Sequence, residues 1–166
     1  MTRRITTIAL MTAVIAVCSW ISIPTTIPFT LQLMGVFLTL KVLGAKDGLI
    51  SICIYILMGV IGLPVFASFN SGVGTLLGPT GGFIVGFIAI GITYIVFPKF
   101  QDVIGLILCY SCGILWFCYV SMGTIDAEGI ISSLTICVVP FVIPDIIKIV
   151  VANIITKRIK PVIDNG

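Results

Sequence analysis

Of the 166 residues, 59% are hydrophobic and 9% charged, with 9 Lys+Arg against 6 Asp+Glu, no histidine and a mean hydropathy of +1.30. Soluble domains carry about 25% charged side chains, so this chain cannot furnish a solvated surface and reads as an integral membrane protein. The missing histidine removes the usual imidazole bases and metal ligands, and no Gly-x-x-x-x-Gly-Lys-Ser/Thr loop is present to cradle nucleotide phosphates, which excludes ATP hydrolysis by the chain itself.

A helix crossing a ~30 Å hydrocarbon core takes about 20 residues, so six crossings nearly fill the chain. A lipid-facing barrel would need polar residues at alternate positions, whereas residues 84–96 are apolar on both parities. The first span, residues 5–23, follows Arg3 and Arg4 like the core of a signal peptide. It has no small-x-small cleavage site and runs through Ile23-Pro24 into further apolar sequence, so it is read as a retained helix. The second, residues 29–43, follows Pro24 and Pro28 and is closed by Lys41, Gly44, Lys46, Asp47 and Gly48. Spans at 49–62, at 82–97 before Pro98 and Lys99, at 103–120 and at 130–156 complete the series, the last containing Pro140 and Pro144. The expectation is one all-α membrane domain over residues 1–166.

Lys and Arg collect in short cytoplasmic connections, which tests this division. With the N-terminus inside, the inner segments hold Arg3, Arg4, Lys41, Lys46, Lys99, Lys157, Arg158 and Lys160. The outer segments, 24–28, 63–81 and 121–129, hold no cation and only Asp126 and Glu128. Both termini are therefore expected in the cytoplasm, and the one cation left over is Lys148, inside the sixth span.

The outer segment 63–81 has no charge and many large apolar residues, and its five glycines at 72, 74, 78, 81 and 82 (the last just beyond it) supply backbone freedom. It is read as a lid-like loop between the third and fourth helices, folded over or into the outer mouth of the bundle. The alternative is a merely greasy external loop.

The strongest local signal is Pro140-Phe141-Val142-Ile143-Pro144-Asp145-Ile146-Ile147-Lys148. An ionised group inside a span costs at least ~2.5 kcal/mol on insertion scales, so it normally faces a cavity or a partner. Asp145 and Lys148 stand at i and i+3 on one helix face, and Pro144 is expected to kink the helix there. The competing reading is an ion pair that satisfies itself while Lys148 snorkels toward the inner surface.

Ala9-x-x-x-Ala13, continued by Ala16, and Gly82-x-x-x-Gly86 have the small-residue spacing that lets helix backbones approach, with packing inside the chain as the default. The six cysteines, including Cys109-x-x-Cys112, have no redox or zinc context and are read as packing residues. Trp116, Phe117, Tyr119, Tyr110, Tyr55 and Phe66 are equally fit for an apolar pocket, for helix packing or for the membrane boundary. No nucleophile–base pair is visible, so no enzyme, cofactor or nucleic-acid partner is expected.

Ile27-Pro28-Phe29-Thr30-Leu31-Gln32, then Gly62-Leu63-Pro64-Val65-Phe66-Ala67, then Gly78-Pro79-Thr80-Gly81-Gly82-Phe83 with Gly86-Phe87, and finally Pro140-Phe141 through Asp145 and Lys148 occur in an order that closely resembles the BioY family. These are the biotin-binding S components of energy-coupling factor (ECF) vitamin transporters. The resemblance implies a six-helix S-component bundle in a prokaryotic-type plasma membrane that captures biotin from outside. It also implies partners, a transmembrane T component and two ATPases, and toppling of the S component within the bilayer.

Ala9 and Ala13 resemble the alanine motif by which S components dock on the T component. Biotin offers two ureido N–H donors, a carbonyl, an apolar bicycle and a carboxylate tail. The resemblance suggests Asp145 as acceptor for the ureido N–H pair, Asn70 as donor and acceptor, and Lys148 as carboxylate partner or counter-ion of Asp145. It further suggests Gln32 as a pocket amide, with Tyr55, Phe66, Phe83 and Trp116 as apolar walls. One departure is visible: Pro144 stands where the family usually has glycine, so the backbone before Asp145 is expected to differ. An S component for thiamin or riboflavin, or a self-sufficient carrier using Asp145 and Lys148 as a relay, are the rival readings.

Overall fold

Apolar runs punctuated by glycine and proline fold, in the computed structural model of residues 2–25, 27–123 and 125–165, into eight helices and one small ribbon. Helix α1 (Thr2–Trp20) leads into strands β1 (Ser22–Ile23) and β2 (Phe29–Thr30), followed by α2 (Gln32–Leu43), α3 (Ala45–Val60) and the short α4 (Val73–Leu77). Helices α5 (Gly81–Val96), α6 (Gln101–Met122), α7 (Ala127–Cys137) and α8 (Val142–Asn165) complete the chain.

The ribbon is absent from the hydropathy reading. Ser22 pairs with Thr30 and Ile23 with Phe29, antiparallel, and the ribbon is extended by the Leu31 amide donating to the Ile21 carbonyl at 3.1 Å. Pro24 and Pro28, which cannot donate to a ladder, fall in the connection between the strands.

Helices α1 and α6 are each long and apolar enough to cross a bilayer, while α2 and α5 are shorter apolar helices. Outward side chains across the bundle, among them Leu10, Leu57, Ile107, Ile131 and Ile147, are exposed large hydrophobics, as a lipid-facing surface requires.

The run at 130–156 is not one helix: α7 and α8 meet at 51°. The break lies at 138–141, before the expected kink at Pro144. Val138 departs from helical geometry at φ −123 and ψ −53, and the Phe141 and Val142 amides both turn back onto its carbonyl at 2.8 and 3.0 Å. Pro144 sits in the first turn of α8, where a missing N–H costs little.

Helix α2 occupies the middle of the bundle, against α1, α3, α5 and α8. Val36, Phe37 and Leu40 from α2 pack with Ile15, Ile52 and Ile90 in the core. Gly44, at φ +80, is the single residue between α2 and α3, a conformation that L side chains rarely adopt.

The closest helix pair is the α5–α6 hairpin. A Cβ on Gly82 would lie 2.3 Å from the Trp116 Cβ and 2.6 Å from the Cys112 carbonyl oxygen, and one on Gly113 would lie 2.2 Å from the Phe83 ring. The Gly82–Gly86 spacing is therefore spent inside the chain. The cation-rich end is tied by ion pairs: Arg4 with Asp47 joins α1 to α3, and Lys41 with Asp102 joins α2 to α6.

Candidate functional site

At the other end of the bundle, the broken helix, the ribbon, α5, α6 and the 61–80 connection surround a cavity of about 110 Å³. Asp145 and Lys148 project into it from the first turns of α8 and are 4% and 6% exposed, so both charges lie within protein. The break at 138–141 brings that turn, and with it Asp145, against the cavity.

Lys148 Nζ donates to Asp145 Oδ1 at 2.7 Å, and the Tyr110 hydroxyl from α6 donates to Oδ2 at 2.6 Å. Lys148 Nζ also lies 4.2 Å from the centre of the Phe29 ring, which is stacked on Phe141 at 6.0 Å. A carboxylate has about four acceptor sites, so these two donors leave room for further N–H groups. The ammonium, in turn, is neutralised by the acid and lies over an aromatic face. The arrangement is a closely matched charge pair with spare acceptor capacity, facing a largely apolar chamber that a few amides and hydroxyls also line.

Gln32, at the start of α2, lines the cavity and donates its Nε2 to the Tyr55 oxygen at 2.8 Å, and the Tyr55 hydroxyl donates to the Val65 carbonyl at 2.9 Å. Tyr55 is thus fully buried behind the cavity, a support for Gln32 and an edge-to-face neighbour of Phe66 at 5.6 Å, and not a wall. Phe66 and Phe83 do form wall. Phe66 is seated where Gly59 has no side chain: a Cβ there would come within 2.1 Å of the ring.

Trp116 also stands back from the cavity. It packs on Gly82, and its Nε1 donates to the Gly78 carbonyl at 2.9 Å, fastening the turn that leads into α5.

The 61–80 connection is more structured than a greasy loop. It carries a 3₁₀ turn at Ala67–Phe69 and helix α4, and it contributes Phe66, Ala67, Asn70, Thr75 and Thr80 to the cavity. Asn70 is exposed, at the mouth, and its Nδ2 donates to the Ala67 carbonyl at 2.9 Å. The turn is clasped to α1: Trp20 stacks on Phe69 at 5.1 Å and donates Nε1 to the Pro64 carbonyl at 2.8 Å, while Ser22 and Ser68 share a 3.2 Å hydrogen bond. Ser68 and Phe69 hold positive φ values of 55° and 61° at this clasp.

The residues brought together are therefore Asp145, Lys148, Asn70, Gln32, Phe66 and Phe83, with Tyr55 and Trp116 one layer out. Tyr110 had been visible only as one of several aromatics, although a phenol in an apolar helix needs a hydrogen-bond partner in oil and so signals one. Phe87, Phe141, Cys109 and Cys137 also line the cavity, and they reach it only through tertiary folding. Away from the site, Ala9 and Ala13 are exposed on the outer side of α1, beside Leu10 and Val17, while Ala16 turns into the core.

A sequence profile of the BioY family matches residues 1–165. The chain is 39% identical to the biotin transporter BioY of Thermotoga maritima, over 95% of its own length and 96% of the relative's. To the probable biotin transporter BioY of Pyrococcus horikoshii it is 36% identical, over 95% and 96%. Among solved structures, an S-component for biotin from an ECF-type ABC transporter superposes with a TM-score of 0.81, at 26% identity, over 96% of this chain and 92% of that one.

Proposed function

The chain belongs to the BioY family, and from that premise we propose that it captures biotin at the outer face of a prokaryotic-type plasma membrane, as the S component of an ECF-type transporter. It is a transporter component and not an enzyme. The observation that carries the ligand assignment is a buried acid with unused acceptor sites, Asp145, facing an apolar cavity.

The ureido N–H groups donate to Asp145, whose carboxylate Lys148 and Tyr110 hold in place. The 2.7 Å contact supports Lys148 as counter-ion of Asp145, which leaves the valeryl carboxylate to the mouth, where the Asn70 amide can donate. Gln32 supplies an amide carbonyl, and Phe66 and Phe83 flank the bicycle. The connection carrying Phe66 and Asn70 closes over the bound vitamin.

The end bearing eight of the nine cations faces the cytoplasm. Transport is energised by a separate T component and two ATPases, and the exposed Ala9–Ala13 face of α1 is the docking surface for the T component, where small side chains admit a helix.

Titration of the purified chain with labelled biotin tests the assignment. Saturable binding is expected; none, together with tight binding of thiamin or riboflavin, would overturn the ligand. Biotin flux into liposomes holding this chain alone would overturn the need for ATPases.

A further inference from the structure

A second cavity, of about 350 Å³, lies at the cation-rich end and is independent of the biotin reading. On α8, Asn153, Thr156, Lys157 and Lys160 recur at i, i+3, i+4 and i+7, which puts them on one face, and all four line this cavity. Of the rest of that segment, Ile155 packs against the core, while Ile154, Arg158 and Ile159 are exposed on the outside.

Lys41 also lines the cavity, but its charge is matched: Nζ donates to both Asp102 oxygens at 2.7 and 2.6 Å, and the Tyr94 hydroxyl donates to the same carboxylate. The ion pairs at this end, Arg4 with Asp47 and Lys41 with Asp102, do not use Lys157 or Lys160. The cavity thus holds the ammonium groups of Lys157 and Lys160 beside the Asn153 amide, in a recess between α2 and α8. Its remaining wall includes Leu40 and Ala45, and Ile95, Val96 and Ile154 present an apolar surface on the outside of α5 and α8.

We propose that this recess binds the phosphate of an anionic phospholipid in the adjoining leaflet. Lys157 and Lys160 take the phosphate oxygens, Asn153 donates an amide hydrogen, and the acyl chains lie along the apolar exterior. A lipid is favoured over a soluble anion because the exposed apolar side chains of Ile95, Val96 and Ile154 flank the basic recess, a pairing that suits a head group with acyl chains.

Native mass spectrometry of the full chain, released from micelles containing equal phosphatidylglycerol and phosphatidylcholine, tests this. Phosphatidylglycerol should be retained preferentially, and Lys157→Gln/Lys160→Gln should reduce that retention about fivefold per lysine. Arg158→Gln, the same charge change on the outward side of the helix, should leave it unaltered. An unchanged biotin titration reports that the double variant is folded. Equal retention of the two lipids, wild-type retention by the folded double variant, an equal loss in Arg158→Gln, or retention of added inorganic phosphate in place of lipid would each overturn the proposal. Without any variant, the unfolding midpoint should be higher in phosphatidylglycerol than in phosphatidylcholine vesicles, and the difference should shrink with salt; equal midpoints at low salt would count against it.

Discussion

The carboxylate of Asp145 is held from two sides by donors of different kinds, a charged one from its own helix and a neutral one from α6. Removing the neutral donor, in Tyr110→Phe, should weaken biotin binding about fivefold, corresponding to ~1 kcal/mol, with little change in thermal unfolding. Removing the charge, in Asp145→Asn, should weaken binding about 10- to 100-fold, the worth of a charge-assisted hydrogen bond of ~1.5–3 kcal/mol. It also strands the Lys148 ammonium, so the unfolding midpoint should fall as well. Asp145→Asn/Lys148→Met should recover most of that stability, because replacing a buried pair by neutral groups is often close to neutral, while leaving binding impaired. Calorimetry and a biotin titration on the same three variants separate the two effects, and an Asp145→Asn chain with wild-type affinity would remove Asp145 from the site. The acid and the amine were legible in the sequence because i and i+3 share a helix face whatever the fold does. Tyr110 was not, since its contact with Asp145 spans 35 positions and depends on how α6 crosses α8.

Among the elements, the α5–α6 hairpin couples packing to the cavity wall. Gly113 on α6 leaves the space that the Phe83 ring occupies, and Phe83 faces the cavity. Gly113→Ala should therefore push that ring from its seat, costing the ~1–3 kcal/mol of stability typical of overpacking, which lowers the unfolding midpoint, and weakening biotin binding with it. A midpoint equal to wild type would mean that the hairpin yields at no cost. Hydropathy marks apolar runs because burial in lipid leaves a compositional trace over many residues. It could not find the break at 138–141, since Val138, Val139, Phe141 and Val142 are as apolar as a continuous span and two prolines compete to mark the bend. The ribbon at 22–30 was hidden for a similar reason: two residues per strand carry no periodicity.

For the molecule as a whole, the chemistry is divided between its ends, with the cavity that holds Asp145 opposite the ion pairs and the basic recess. The charge asymmetry behind this division was plain in the sequence, whereas the pairing of Lys41 was not, because Asp102 lies 61 positions away. The exposed face of α1 belongs to this scale too. Ala9→Phe or Ala13→Phe should leave biotin affinity unchanged, because neither residue lies near the cavity, while abolishing uptake by cells that carry the complete transporter. Impaired binding with intact uptake would instead show those alanines to be packing residues.

Only two tryptophans occur in the chain. Trp20 grips the 3₁₀ turn of the outer connection and Trp116 its exit at Gly78, so both indoles sit on the segment that would shift when the mouth shuts. Ultraviolet emission from the unlabelled chain is therefore a native optical gauge of that segment, with Trp20→Phe and Trp116→Phe dividing the signal between entrance and exit. A spectral change on adding biotin that persists in only one of these variants would tell which side of the mouth responds.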